Sequence, residues 1–250
     1  MKEKAPLSFS RREVFISAFR CSIPVLLGYI TVGIAFGLLV SGTGYPWWLA
    51  LAMSFWMFAG AGQFIALGLF AAGTSLWQLC LIQLVVNVRH MAYGLSMLKR
   101  FSGMGLSKPY LVFSLTDETF ALLSSMPETP DDGERRRFFM IYVAVLNHFY
   151  WVSGSVLGAV AGTFIPFDMK GIGFALTALF VVLMMEQIKR IKKPGVFIVS
   201  AASALLGVFF LPGNVSILAA IALALLLSIV IEPIVIGRLR LFRSEKHEQS

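Results

Sequence analysis

Three groups of polar residues sit inside apolar stretches of this chain, and each has the residue types for handling charge away from water. The first is Asn87, Arg89 and His90, within Leu81-Ile82-Gln83-Leu84-Val85-Val86-Asn87-Val88-Arg89-His90-Met91-Ala92-Tyr93-Gly94. Arg89 is the only one of 21 Lys and Arg inside a long apolar segment. A lone basic residue at membrane depth costs roughly 2.5 to 3.5 kcal/mol on insertion scales, so it needs a partner or a task. Asp117 and Glu118 are the candidate partners. The competing reading is an arginine that snorkels to the interface. Against it, Lys99 lies about 15 Å further along a helix, which puts Arg89 near the midplane. On that helix Asn87 and His90 share a face, with Tyr93 and Gly94 close to the same stripe, while Arg89 points away from Asn87.

The second group is Ser114, Thr116, Asp117 and Glu118. Ser114 is expected one helical turn before the acids, and two adjacent carboxylates in a low dielectric resist ionising together, so one of them is a candidate proton carrier. The competing reading is a short interfacial segment between Pro109 and Pro127 with solvated acids. The third group is Asn147 and His148. Gly154, Gly158 and Gly162 repeat every four residues beyond them and predict a close-packing stripe that Asn147 shares. His148 is read either as a satisfied core histidine or as a proton relay. Gly60 and Gly62, with Gln63 beside them, are a further candidate, because a helix interrupted at glycines frees backbone groups for a ligand. Glu186 before Arg190, and Glu232 before Pro233, read as acids near helix ends.

The elements that must position these groups are helices in a membrane. A hydrophobic fraction of 58%, a charged fraction of 14% and a mean hydropathy of +0.80 exclude an ordinary soluble domain. Apolar stretches fall near 21–40, 47–72, 76–98, 111–126, 138–164, 171–188, 196–211 and 215–236, and a bilayer-spanning helix needs roughly 20 residues. The expected fold is an all-α integral membrane protein of about seven or eight segments, some of them discontinuous or re-entrant. The expected organisation is a basic cytoplasmic segment at 1–20, one transmembrane domain at 21–237 and a basic, polar cytoplasmic tail at 238–250.

Charge distribution orients it. All but two of the 21 basic residues, Arg89 and Lys170, fall in five clusters beside apolar runs, which the positive-inside rule assigns to the cytoplasm together with both termini. The net charge of +8 is therefore topological and no nucleic-acid partner is expected. Eight regular spans would put Lys99, Arg100 and Lys108 outside, so either the rule is violated once or two segments enter and leave by the same face. The basic start resembles a signal sequence in outline, and Ser10-Arg11-Arg12 faintly resembles a twin-arginine signal. The long first run without a small-x-small exit fits an uncleaved span better. Cys21 and Cys80 suggest neither a disulfide framework nor a metal motif.

Pro24 with Gly28, Gly33, Phe36 and Gly37, then Ala59-Gly60-Ala61-Gly62-Gln63-Phe64, Asn87-x-Arg89-His90 with Tyr93-Gly94, and Leu115-Thr116-Asp117-Glu118-Thr119-Phe120 together resemble the AzlC-type permeases, from about Phe19 through Gly162. These are the large subunits of two-component branched-chain amino acid exporters. The resemblance implies a secondary transporter of the bacterial inner membrane that exports Val, Leu, Ile and also Met or leucine analogues, with a small AzlD-type membrane subunit and no cofactor. It assigns no substrate residues.

A zwitterionic substrate needs a positive pole for its carboxylate, a negative pole for its ammonium and an apolar pocket. Arg89 or backbone N–H groups near Gly60 and Gly62 are candidates for the first; Asp117 or Glu118 are candidates for the ammonium or an exchanged proton. A cation or metal transporter using Asp117, Glu118, His90 and His148 is the alternative, although their spacing forms no metal box. An intramembrane enzyme is a weaker rival, because Gly154-Ser155-Val156-Leu157-Gly158 is not a nucleophile elbow.

Overall fold

In the computed structural model the residues described are 10–126, 133–165 and 194–210, with isolated positions between 181 and 227. They hold eight helices and no strand: α1 (Arg11–Gly42), α2 (Trp47–Trp56), α3 (Gly60–Ala71), α4 (Leu76–Met97), α5 (Ser107–Phe113), α6 (Asp117–Ser124), α7 (Gly133–Thr163) and α8 (Pro194–Phe210). The chain gathers into two units, Met1–Leu176 with α1 to α7 and Thr177–Ser250 with α8. The expected segments at 171–188 and 215–236 lie largely outside the described residues. Glu186, Arg190, Glu232 and the tail at 238–250 lie wholly outside them.

Among the described residues two helices, α1 at 32 residues and α7 at 31, are long and apolar enough to cross a bilayer. They pack through their glycines. A Cβ on Gly37 would stand 2.0 Å from the Ser155 carbonyl oxygen and 2.3 Å from the Ala159 nitrogen, and one on Gly158 would stand 2.1 Å from the Ile34 oxygen. Gly33 and Gly154 continue the contact one turn away, and Gly162 meets Ser41. Such close backbone approach is how helices associate where lipid supplies no hydrophobic drive between them. The expected stripe of small residues is therefore the α1–α7 seam.

The stretch at 47–72 is divided. α2 ends at Trp56, α3 begins at Gly60, and Phe58 between them sits at φ 39°, the only non-glycine with positive φ among the described residues. A bulky residue is rarely held there unless its surroundings enforce it. Phe58 is buried, its ring against those of His148, Tyr29 and Phe113.

The stretch at 111–126 is divided too, which corrects the expected placement of Ser114. α5 ends at Phe113 and α6 starts at Asp117, so Ser114 belongs to the link and is not a helical turn ahead of the acids. Its hydroxyl donates to the Leu111 carbonyl. The cause is local: the Thr116 side chain accepts from Thr119 N–H and starts a new helix there. At its other end α6 is finished by Arg100, whose guanidinium donates to the carbonyls of Leu123, Ser124 and Met126. Under these short helices Phe101, Leu111, Leu115, Leu123 and Met140 form a buried apolar cluster that fixes α5 and α6 against α7.

Candidate functional site

The two helix breaks converge on the middle of α1. Tyr29, only 7% exposed, faces Phe58 of the first break edge-on and lies within hydrogen-bond distance of Thr116 Oγ1 in the second. Tyr29 Oη also donates to Glu118 Oε2 at 2.7 Å, and its ring meets Trp151 of α7 edge-on. From α7, Asn147 Nδ2 donates to Thr119 Oγ1, which is 3.1 Å from Thr116 Oγ1. A run of hydrogen-bonded groups thus connects Glu118, Tyr29, Thr116, Thr119 and Asn147 across α6, α1 and α7.

Asp117 turns the other way. Arg89 Nη1 is 2.7 Å from Asp117 Oδ2, and Tyr93 Oη donates to Asp117 Oδ1 at 2.8 Å. The two adjacent acids therefore diverge, Asp117 towards α4 and Glu118 towards α1, rather than facing one another. Both sit in the first turn of α6, where unpaired N–H groups and the helix dipole favour negative charge. Among the described residues Glu118 has no ion-pair partner. Tyr93 joins Arg89 rather than Asn87, because residues four apart on a helix share a face whereas Asn87 and Tyr93 are about 120° apart. Tyr93 also stacks on Phe120 at 4.4 Å, and His90 contributes a ring contact to Tyr93.

Gln63 and Asn87 are placed structurally. Gln63 is fully buried; its Nε2 donates to Ser54 Oγ of α2 and its Oε1 accepts from Trp151 Nε1 at 2.8 Å, so its amide bridges α2, α3 and α7. Asn87 Nδ2 donates to Gln83 Oε1, whose own Nε2 donates to the Gly62 carbonyl. A Cβ at Gly62 would come within 2.9 to 3.0 Å of these two amides, so this glycine leaves room for two side chains of α4. Gly60 faces the edge of Trp151, and no side chain caps the α3 N-terminus.

His148 lies beside Asn147 but in different surroundings. Its Nδ1 is 3.2 Å from Tyr110 Oη, and its ring lies among Phe55, Phe58 and Phe113. Nε2 is buried without a partner among the described residues, as is Asn147 Oδ1. No group of three or more His, Cys, Asp or Glu gathers among the described residues, so the cation alternative finds no ligand set. The Ser155 hydroxyl donates to the Trp151 carbonyl of its own helix and packs on α1, as a packing residue does.

Sequence reasoning missed Tyr29, Thr119, Trp151, Gln83 and Ser54. Tyr29 carried a readable signal, a phenol deep in an apolar run that needs a hydrogen-bond partner once buried. The others are ordinary residues made important by contacts to distant helices.

The family model for AzlC protein matches residues 24–165, which holds every residue of this site. An uncharacterized membrane protein of Helicobacter pylori strain 26695 is 43% identical over 71% of this chain and 77% of its own length. The branched-chain amino acid transport protein AzlC of Bacillus subtilis is 36% identical over 72% of this chain and 70% of its own. The inner membrane protein YgaZ of Escherichia coli is 31% identical over 92% of this chain and 96% of its own. No solved structure matches. With its four sequence motifs folded into one connected centre, the chain belongs to the AzlC family.

Proposed function

We propose that this chain is a secondary transporter of the bacterial inner membrane that exports branched-chain amino acids, coupled to the proton gradient and working with a small AzlD-type membrane subunit. Its similarity to the Bacillus subtilis transport protein supports the substrate class. The observation that carries the mechanism is the break at 57–59, held against Tyr29 and Trp151 in the middle of the two long helices. There the carbonyl end of α2 and the uncapped N–H end of α3 meet, a negative and a positive pole side by side. A zwitterion matches that pair, its carboxylate on the first turn of α3 and its ammonium towards the last carbonyls of α2. Phe58, Phe36 and Trp151 supply apolar walls for a branched side chain.

This assignment uses the Gly60 and Gly62 backbone for the carboxylate because Arg89 is already paired with Asp117. It leaves Glu118 as the acid open to a transported proton.

The same reading resolves the charge conflict. α5 and α6 together rise about 22 Å, short of a hydrocarbon core of roughly 30 Å, and so suit a segment that enters and leaves by one face. If α2–α3 likewise enters from outside and returns there, α4 crosses inward and Lys99, Arg100 and Lys108 become cytoplasmic with both termini. With the apolar stretches 171–188, 196–211 and 215–236 counted from the sequence as spans, this arrangement gives six crossings and two opposed re-entrant segments, with both breaks at Tyr29. Exposed Trp47, Trp48 and Trp77 at the starts of α2 and α4 suit an aromatic belt on the outer face.

The test is efflux of preloaded labelled leucine from cells making this chain, with and without a small partner subunit, across imposed pH gradients. Efflux above control that responds to the gradient is expected. Absence of efflux under all conditions, with the protein present in the membrane, would sink the reading.

A further inference from the structure

We propose that Glu118 carries the coupling proton and that Tyr29 is a positioning residue that reports its charge state to α7 through Thr116, Thr119 and Asn147; this rests on the transport reading above. Asp117 is not the carrier, because both of its oxygens are held, one by Arg89 and one by Tyr93. Glu118 has Tyr29 and no cation among the described residues.

The argument is hydrogen counting. Tyr29 Oη has one hydrogen and two oxygens in reach, Glu118 Oε2 and Thr116 Oγ1. With Glu118 ionised, Tyr29 donates to it and the Thr116 hydroxyl turns to donate to Tyr29, so that Thr119 Oγ1 accepts from Asn147 Nδ2 alone. With Glu118 protonated, the carboxyl donates to Tyr29, Tyr29 to Thr116, and Thr116 to Thr119, the direction that last pair has here, so Thr119 Oγ1 accepts from both Thr116 and Asn147 Nδ2. The Thr119 hydrogen then needs an acceptor. Asn147 Oδ1 is fully buried and without a partner among the described residues, and it reaches Thr119 by a flip of the amide. A buried orphan carbonyl is costly and calls for an explanation; as the terminal acceptor of the reversed run it has one.

One O–H bond forms at Glu118 with a proton from water on one side and later breaks to water on the other. Tyr29, Thr116 and Thr119 keep their own hydrogens and only turn them. The ionisable groups around Glu118 are Tyr29 on α1, the Arg89–Asp117 pair with Tyr93 and His90 on α4, and His148 beside Asn147 on α7, engaged by Tyr110 of α5. The segments α2 and α3 contribute none. The asparagine end lies on the helix that packs on α1 along its whole glycine seam, so a change of polarity at Glu118 is felt where the two long helices meet.

Two measurements on the full chain in membranes test this. In vesicles, Glu118→Gln is expected to lose the stimulation of leucine flux by a pH gradient, and Tyr29→Phe to shift the pH at which the gradient acts. In infrared difference spectra of purified protein across a pH step, wild type is expected to show a protonated carboxyl band absent from Glu118→Gln, with a tyrosine signal absent from Tyr29→Phe. A carboxyl band that persists in Glu118→Gln, or wild-type gradient response in that variant, overturns the proposal. So does loss of leucine binding by folded Glu118→Gln, which would make Glu118 a substrate ligand. Wild type that moves no leucine with or without the gradient overturns the transport reading and the coupling role with it, an outcome distinct from a transporter with another carrier.

Discussion

Arg89 and Asp117, 28 residues apart in sequence, close an ion pair of 2.7 Å between α4 and α6, with Tyr93 holding the second Asp117 oxygen one helical turn from Arg89. Removing one member leaves a charge without its counterion in a partly buried place. Arg89→Gln and Asp117→Asn are each expected to cost about 1 to 3 kcal/mol, below the cost for a fully buried pair because the Arg89 side chain is 34% exposed. The double variant should be less destabilised than the sum of the singles. Thermal unfolding in detergent and the amount of protein in membranes measure this, and strictly additive losses would refute an energetic pairing.

Two turns separate the topologies. With α2–α3 and α5–α6 both re-entrant, Thr74 is external and Ser102 cytoplasmic; with α2–α3 crossing, the two exchange sides. Single cysteines at these positions, in a chain whose Cys21 and Cys80 are replaced, should react with an impermeant maleimide from outside at Thr74 and only after permeabilisation at Ser102. Labelling of Ser102 in intact cells contradicts the re-entrant arrangement.

The sequence made some of this centre legible because composition alone carries it. Arg89 stood out as a charge in an apolar run, the glycines at 60 and 62 marked a helix interruption, and the four-residue spacing of Gly154, Gly158 and Gly162 marked a contact stripe. Choosing Asp117 over Glu118 as the arginine's partner needed the start of α6, which depends on a hydrogen bond from Thr119 to Thr116 rather than on hydropathy. Gln63 looked available for a ligand, and only the fold shows its amide held by Ser54 and Trp151, the latter 88 residues away. Pairings across such separations leave no periodicity to read.

The α1–α7 seam predicts a sharp contrast between two glycines of one helix. At Gly37 an added Cβ meets backbone atoms of Ser155 and Ala159, which cannot move without separating the helices, whereas at Gly28 it meets nothing within 4 Å. Gly37→Ala is expected to destabilise by more than about 2 kcal/mol through overpacking. Gly28→Ala should be neutral or gain about 0.5 to 1 kcal/mol from helix propensity. Detergent melting of the two variants compares them, and equal behaviour would exclude close packing at this seam.

The final contrast concerns the first turn of α3. Gly60 and Gly62 both lie there, yet a Cβ at Gly60 would rest 3.4 Å from the Trp151 ring, ordinary contact, while one at Gly62 would push on the Gln83 and Asn87 amides at 2.9 to 3.0 Å. Those amides belong to flexible side chains, so Gly62→Ala is accommodated by a shift of α3 against α4 rather than by unfolding. If the N–H groups of this turn receive the substrate carboxylate, a small displacement weakens hydrogen bonds that depend on direction. Gly62→Ala is therefore expected to raise the leucine KM roughly tenfold, equivalent to about 1.4 kcal/mol, with near-normal protein levels. Gly60→Ala, in ordinary contact with Trp151, should change KM by less. Efflux kinetics at several internal leucine concentrations separate KM from maximal rate; an unchanged KM in Gly62→Ala would remove α3 from the substrate site.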